Sequence, residues 1–278
     1  MALIAKTFQI INSYFNENQD PRVADWILLS SPVYTVTICL VYLLFVKVLG
    51  PAFMKNRNPF ELKHTLTVYN AFLVLFNSWL FYEIGMSGWL TGEYSFICEP
   101  MDYLYKPKNL RMVNVLWYFL VSKFIELLDT VFFVARKKYN QITTLHIIHH
   151  TSVPMSVWLG IKYTPMGHGT FFPLINSFIH IIMYGYYMLS AFGPSIQKYL
   201  WWKKYITVLQ MAQFVALGIH TGQLAFIECD YPRGIMTVVG LQAIMFYFLF
   251  RDFYKKAYKK KHTHKMEKLN NNSVEKNE

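Results

Sequence analysis

Cysteine is scarce in this sequence, with three residues among 278. Three cysteines are too few for a framework of several disulfides. The chain also lacks internal repeats and Gly/Ser-rich linkers, which indicates one domain with no separate soluble part. Residues 1–25 lack the apolar stretch of a cleavable signal peptide, because asparagines and acidic residues interrupt them. We therefore predict a short amphipathic lead-in over residues 1–25.

Charge is also sparse: Asp, Glu, Lys and Arg make up 15% of the residues, whereas 54% are hydrophobic and 18% aromatic. The hydrophobic residues lie in long blocks, unlike the spacing of a soluble core. Five stretches of 17 to 23 residues contain no charged side chain, and each is about as long as a helix that crosses a hydrocarbon layer of about 30 Å. These stretches are residues 26–46, 64–82, 139–161, 205–227 and 234–250.

Two further stretches have the same character. Residues 169–191 lie within another uncharged run, and residues 114–135 are apolar except for three charged side chains. The sequence thus predicts an all-α integral membrane protein, with seven transmembrane helices in a membrane domain over residues 26–254.

Lysine and arginine are distributed unequally between alternate loops. The loops after the first, third and fifth spans, together with the C-terminal tail, hold 17 of the 27 cations. Cytosolic loops are enriched in Lys and Arg, so the N-terminus is predicted to be lumenal and the basic tail, residues 255–278, cytosolic. We expect no nucleic-acid partner, because a basic tail beside a last span usually binds the anionic cytosolic leaflet.

Polar residues gather in the cytosolic half of four predicted spans, with few in the lumenal half. His146, His149 and His150 fall in the first two turns of the fourth span, on one stripe of the helix. Ionisable groups at that depth cost roughly 2.5–3.5 kcal/mol each, so they usually face a cavity and have a function. Hydrogen bonding between helices is the alternative, but convergence from four helices favours a site. The other members are Glu126, Asp129, Thr130, Asn176, His180, Tyr184, Tyr187, Gln210 and Gln213.

The H-x-x-H-H spacing first suggests a metal site, because neutral imidazole is the commonest metal ligand. Membrane di-iron desaturases and hydroxylases, however, carry several histidine clusters, and this chain has one. We therefore predict no metal and keep a di-iron enzyme as an alternative. A non-catalytic seven-helix receptor, channel or transporter is a second alternative, although the predicted polar groups form no continuous path across the membrane.

Four motifs resemble those of the ELO-type very-long-chain fatty acid elongases, in the same order and spacing. They are KFIELLDTVFFVARKK at 123–138, LHIIHH at 145–150, NSFIHIIMYGYY at 176–187 and TVLQMAQF at 207–214. The resemblance implies a seven-helix protein of the endoplasmic reticulum membrane that condenses a long-chain acyl-CoA with malonyl-CoA, releasing carbon dioxide and giving a 3-oxoacyl-CoA two carbons longer. It also implies no cofactor beyond the two CoA substrates, contact with membrane lipid, a reductase and a dehydratase of the elongation cycle as partners, and a homodimer. Thr144 departs from the family, which usually has an aromatic residue there.

A Claisen condensation needs an acyl electrophile, an enolate from the malonyl thioester and donors for the developing oxyanion. No cysteine falls near the polar cluster, so either an imidazole carries the acyl group or the condensation is direct. We predict His149 as the acyl carrier and His180 opposite it. His146 and His150 are expected to support them.

The carboxylates are expected to have separate roles. Asp129 is predicted to orient an imidazole, and Glu126 to pair with Lys123. The cations at the cytosolic mouth are expected to hold the anionic nucleotide of CoA. Polar side chains of the cluster are also expected to contact the substrates. The predicted substrate-binding residues are Lys123, Arg136, Lys137, Lys138, Asn176, Tyr184, Tyr187, Lys203, Lys204, Gln210 and Gln213.

Cys98 and Cys229 fall in two lumenal loops, where they either form a disulfide or remain two thiols. Cys39, inside the first span, is interpreted as a small apolar residue. The cavity for the acyl chain is expected to run from the histidines toward the lumenal ends of spans four to seven.

Overall fold

The computed structural model describes residues 19–259, with side chains through residue 258, and all regular structure in this part of the chain is helical. Eight helices of at least eight residues lie in these residues. They are α1 (Pro32–Met54), α2 (Lys63–Ile84), α3 (Pro107–Ile125), α4 (Leu128–Ala135), α5 (Thr144–Tyr163), α6 (Phe171–Ala191), α7 (Lys203–Gly222) and α8 (Arg233–Tyr254). Most of the predicted lead-in and of the predicted basic tail, residues 1–18 and 260–278, lie outside the described residues.

Three helical stretches are long and apolar enough to cross a membrane, by length and composition. They are Pro32–Met54, Gly167–Ala191 and Arg233–Tyr258. The prediction of an all-helical protein with membrane-spanning helices is confirmed at this level. The other predicted spans correspond to α2, the α3–α4 pair, α5 and α7. Their crossing of the membrane, and the orientation of the bundle, stay predictions.

The helices pack with α2 against α6, α7 against α8, and α5 against α1, α3 and α8. The largest buried hydrophobic cluster draws side chains from six helices, α2, α3 and α5 to α8, and includes Leu80, Phe119, Trp158, Phe214 and Phe246. Many large apolar side chains on the outside of the bundle remain exposed, as expected where helices meet lipid. Helix α5 therefore lies among several neighbours, which can surround the groups that it carries.

The backbone tightens where α3 ends and α4 begins. The N–H of Leu127 donates to the carbonyl of Phe124 at 3.2 Å, and the N–H of Asp129 donates to the carbonyl of Glu126 at 3.1 Å. The N–H of Thr130 likewise donates to the carbonyl of Leu127 at 3.2 Å. Hydrogen bonds over three residues wind the chain more tightly than an α-helix. Side chains after this break therefore point away from the directions expected for one continuous helix.

Helix α5 begins at a side-chain cap. The Thr143 hydroxyl accepts a hydrogen bond from the backbone N–H of His146 at 3.2 Å, which satisfies a donor of the first turn. The three clustered histidines consequently fall in the first two turns of α5, as predicted. Pro154 lies inside the helix and has no N–H, so the carbonyl of His150 lacks its usual helical partner.

A disulfide joins two loops at the end of the bundle away from the clustered histidines. Cys98 and Cys229, 131 residues apart, join the loop between α2 and α3 to the loop between α7 and α8. Residues of the lead-in pack at the same end. The N–H of Asp20 donates to the carbonyl of Lys162 at 2.9 Å, and the Lys162 ammonium donates to the carbonyl of Leu29 at 3.1 Å.

His168 and His220 form a second buried polar group at this end of the bundle. Their rings stack with centroids 3.7 Å apart, and each Nε2 hydrogen-bonds to the backbone carbonyl of the other residue, at 2.8 and 3.1 Å. His168 precedes α6 and His220 lies near the end of α7, so each pairs with backbone at a helix end. The prediction that few polar groups lie in this half of the spans stays a prediction.

Candidate active site

Four side chains from α3, the α3–α4 break and α6 form a closed, buried network. The Lys123 ammonium donates to Glu126 Oε1 at 2.6 Å and to Asn176 Oδ1 at 2.9 Å. His180 completes the ring, with Nε2 3.2 Å from Asn176 Nδ2 and Nδ1 3.1 Å from Glu126 Oε1. None of the four is more than 5% exposed. The positive charge of Lys123 and the negative charge of Glu126 offset each other within the network. The pairing of Glu126 with Lys123 is confirmed, and it places Lys123 inside the site.

The proton positions in this network follow from its donors. Lys123 can only donate, so the Asn176 oxygen accepts and the Asn176 amide nitrogen donates to His180 Nε2. Nε2 is then the unprotonated nitrogen of His180, and its Nδ1–H donates to the Glu126 carboxylate. Both ring nitrogens of His180 are therefore occupied.

Asp129 has a different partner from the one predicted. It accepts a hydrogen bond from the Tyr184 hydroxyl at 2.9 Å, whereas the carboxylate in contact with an imidazole is that of Glu126. The orienting role predicted for Asp129 was wrong, because the tightened backbone between α3 and α4 changes where its side chain points. Tyr184 also meets Tyr69 of α2 edge to face, with ring centroids 6.5 Å apart.

His146 is held by side chains from α4 and α1. Its Nε2 lies 2.7 Å from Thr130 Oγ1, which in turn lies 2.9 Å from the Tyr42 hydroxyl. The His150 ring packs beside them, with its centroid 4.2 Å from that of His146 and 6.3 Å from that of Tyr42. The sequence did not single out Tyr42, because a tyrosine in an apolar run carries no signal of its partner.

His149 differs from its two neighbours. Its Nδ1 is buried and has no hydrogen-bond partner among the described residues. Its ring packs against Phe246 of α8 at 5.1 Å and against His150 at 5.4 Å, between centroids. A buried polar atom without a partner is uncommon, and a catalytic role is one explanation for it. His149 thus supplies an unoccupied imidazole nitrogen within the histidine cluster.

The remaining predicted substrate contacts lie outside the closed network. The Gln210 amide contacts the sulfur of Met183 at 3.4 Å, Gln213 is buried in α7, and Tyr187 is 39% exposed beside Tyr184. Exposed or half-buried cations follow α4 and begin α7, and their role in binding stays a prediction. They are Arg136, Lys137, Lys138, Lys203 and Lys204.

The clustered residues do not resemble a metal centre. Within residues 19–259, no three His, Cys, Asp or Glu side chains are grouped so that they could hold a metal ion. The prediction that catalysis uses no metal remains a prediction.

A narrow cavity of about 40 Å³ lies between α3, α5, α6 and α8. Its mainly apolar walls include Phe119 of α3, Val157 and Gly160 of α5, Phe172 of α6 and Met236 of α8. The cavity borders the C-terminal half of α5, away from the histidines in the first two turns. The sequence predicted a longer cavity, running from the histidines toward this region, and its course beside the histidines stays a prediction.

The fold and this site define a helical membrane protein with imidazole, carboxylate and amine groups buried among its helices, which is typical of a functional centre within a bilayer. The chain belongs to the ELO family, described as GNS1/SUR4, whose family model matches residues 27–266.

Relatives with elongase names cover most of the chain. A very long chain fatty acid elongase of Aedes aegypti is 56% identical over 259 residues, which are 93% of this chain and 72% of the relative. Very long chain fatty acid elongase 7 of Drosophila melanogaster is 54% identical, covering 88% of this chain and 75% of the relative. Very long chain fatty acid elongase 7 of Rattus norvegicus is 46% identical and covers 94% of both chains. The resemblance inferred from the four motifs is confirmed.

Proposed function

We propose that the chain is a very-long-chain 3-oxoacyl-CoA synthase, an acyltransferase that joins a long-chain acyl-CoA to malonyl-CoA and releases carbon dioxide and CoA. Membership of the ELO family and the elongase names of its relatives support this reaction and do not favour a di-iron enzyme or a transporter. The observation that carries the mechanism is the buried, unpartnered Nδ1 of His149.

The first half-reaction transfers the acyl group to His149. The Nδ1 lone pair of the neutral imidazole attacks the thioester carbonyl, the carbon–sulfur bond breaks, and the CoA thiolate takes up the proton from Nε2, which leaves a neutral acyl-imidazole. An unpartnered Nδ1 suits this step, because no hydrogen bond has to break before the attack. The cysteines are engaged elsewhere: Cys98 and Cys229 form the disulfide, and the Cys39 thiol contacts the carbonyl of Thr151 at 3.7 Å.

The second half-reaction forms the new carbon–carbon bond. Malonyl-CoA loses carbon dioxide, and the electrons of the broken bond form an enolate that attacks the acyl carbonyl. The bond to His149 then breaks, the imidazole takes up a proton from solvent to return to its neutral form, and the 3-oxoacyl-CoA leaves. Lys123 and Asn176 each keep one N–H beyond those used in the network, and these donors can stabilise a developing oxyanion beside His180.

The ends of α4 and α7 supply the binding site for the CoA nucleotide. Its phosphates are anionic. The cations at 136–138 follow the C-terminus of α4, and those at 203–204 lie at the N-terminus of α7. The positive charge there would attract both substrates, since acyl-CoA and malonyl-CoA share this nucleotide. The acyl chain would run from His149 along α5 toward the small apolar cavity, whose volume of about 40 Å³ is too small to hold a long chain unless the surrounding side chains move.

The arrangement in the membrane completes the proposal. The membrane domain over residues 26–254 crosses the endoplasmic reticulum membrane seven times, with a lumenal lead-in over 1–25 and a cytosolic basic tail over 255–278. Three membrane-length helices and the unequal distribution of cations support it. A reductase and a dehydratase would consume the 3-oxo product, and two copies of the chain would form a homodimer without nucleic acid or a metal cofactor.

The reaction can be tested on the purified full chain in lipid nanodiscs. With a saturated long-chain acyl-CoA and malonyl-CoA labelled at carbon 2, we expect a labelled 3-oxoacyl-CoA two carbons longer. His149→Gln should abolish its formation, whereas His64→Gln, which changes an exposed histidine at the start of α2, should not. Wild-type protein that forms no such product, or that contains two irons per chain, would contradict the proposal.

A further inference from the structure

A line of hydrogen bonds connects α1 to the histidine cluster. It runs from the Tyr42 hydroxyl to Thr130 Oγ1 at 2.9 Å, and from Thr130 Oγ1 to His146 Nε2 at 2.7 Å. Thr130 is fully buried and Tyr42 is 5% exposed, so water does not compete for these groups. Tyr42 also packs against Val46 and Leu127, which fixes its ring beside the break between α3 and α4.

The direction of these hydrogen bonds follows from counting donors. In residues 19–259 the Tyr42 hydroxyl has Thr130 as its one hydrogen-bond partner. If His146 Nε2–H donated to Thr130, one buried O–H would lack an acceptor: that of Tyr42 if Thr130 donated to Tyr42, or that of Thr130 if Tyr42 donated to Thr130, and either is unfavourable. In the opposite direction, Tyr42 donates to Thr130 and Thr130 donates to His146 Nε2, so every O–H has an acceptor. The second arrangement places the His146 proton on Nδ1.

We propose that Tyr42, acting through Thr130, is a positioning residue that holds His146 in the tautomer protonated on Nδ1. His146 then presents an N–H donor on the ring edge away from Thr130, and its Nε2 lone pair is occupied. His146 cannot act as an acyl carrier through Nε2 in this state, which agrees with the assignment of that role to His149. This inference deepens the proposed condensation reaction and rests on it for its kinetic consequence.

The kinetic test uses steady-state condensation by the full chain in nanodiscs. Tyr42→Phe and Thr130→Val should each lower kcat by about three- to tenfold, the effect of losing one hydrogen bond, with KM for both substrates unchanged. Thr130→Ser keeps the hydroxyl and should retain kcat. The Tyr42→Phe and Thr130→Val double variant should be no slower than the Thr130→Val single variant, because the two residues act in series. Tyr34→Phe, which changes an exposed tyrosine on the same helix, is the matched control and should have no effect.

The tautomer can be measured independently of turnover. Protein labelled with ¹⁵N-histidine, with the His146 signal assigned from a His146→Gln variant, should show a protonated Nδ1 in the wild type. Tyr42→Phe should shift that signal toward the Nε2–H form. A wild-type His146 protonated on Nε2, or a Tyr42→Phe variant with unchanged kcat and tautomer, would overturn the inference. If wild-type protein does not condense the two substrates, the proposed reaction fails while the spectrum still decides the tautomer.

Discussion

Replacing Glu126 by glutamine should destabilise the folded protein, because it leaves the Lys123 ammonium buried without its counter-charge. The two side chains are each 2% exposed, and their charged atoms are 2.6 Å apart. Removing one partner of a buried ion pair costs about 3–5 kcal/mol. At about 2–4 °C per kcal/mol for a chain of this size, the midpoint of thermal unfolding should fall by about 6–20 °C.

A double variant separates the ion pair from other effects. Lys123→Met combined with Glu126→Gln removes both charges, so the thermal midpoint should recover most of the loss seen in either single variant. Lys106→Met is the control, because its ion pair with Asp102 has side chains that are 59% and 36% exposed. Such a pair contributes about 1 kcal/mol or less. Tryptophan fluorescence of protein in detergent gives the midpoints, and a double variant no more stable than the weaker single variant would refute the reasoning.

Reducing the disulfide between Cys98 and Cys229 should lower the thermal midpoint, because it opens a loop whose closure contributes about 5 kcal/mol in the entropic model; an unchanged midpoint in protein shown by mass spectrometry to be reduced would contradict this. Tyr184→Phe should remove the hydrogen bond from the Tyr184 hydroxyl to Asp129 and slow condensation by about tenfold, whereas Asp129→Asn keeps an acceptor for Tyr184 and should lose less. Steady-state kinetics on folded variants decides the order, and the reverse order would count against this contact. Replacing the cations at 136–138 by glutamine should raise KM for both CoA substrates several-fold with little change in kcat, and an unchanged KM would remove them from the binding site.

Helices and the polar cluster could be predicted from the sequence because both depend on local pattern. Uncharged runs of membrane length identify apolar helices, and the spacing of His146, His149 and His150 places them on one stripe of α5. The pairing of Lys123 with Glu126 was equally local, since three residues separate them on a helix.

The partners of the carboxylates could not be predicted in the same way. Asp129 was assigned the imidazole contact from its place on the helix alone, but Glu126 contacts His180 of α6, and Asp129 contacts Tyr184 of the same helix. Tyr42 reaches Thr130 across 88 positions of sequence, and nothing in its apolar surroundings indicates that contact. Long-range partners depend on how helices pack, which periodicity in one segment does not report.

The central claim, that His149 carries the acyl group, is tested most directly by giving purified protein a long-chain acyl-CoA without malonyl-CoA. Up to one equivalent of CoA should be released rapidly, and intact-mass and peptide analysis should find the acyl mass on His149. The His149→Gln variant should show neither signal, and malonyl-CoA added afterwards should discharge the acyl group as 3-oxoacyl-CoA. Active protein that releases no CoA and gains no acyl mass until both substrates are bound would contradict the claim and indicate direct condensation.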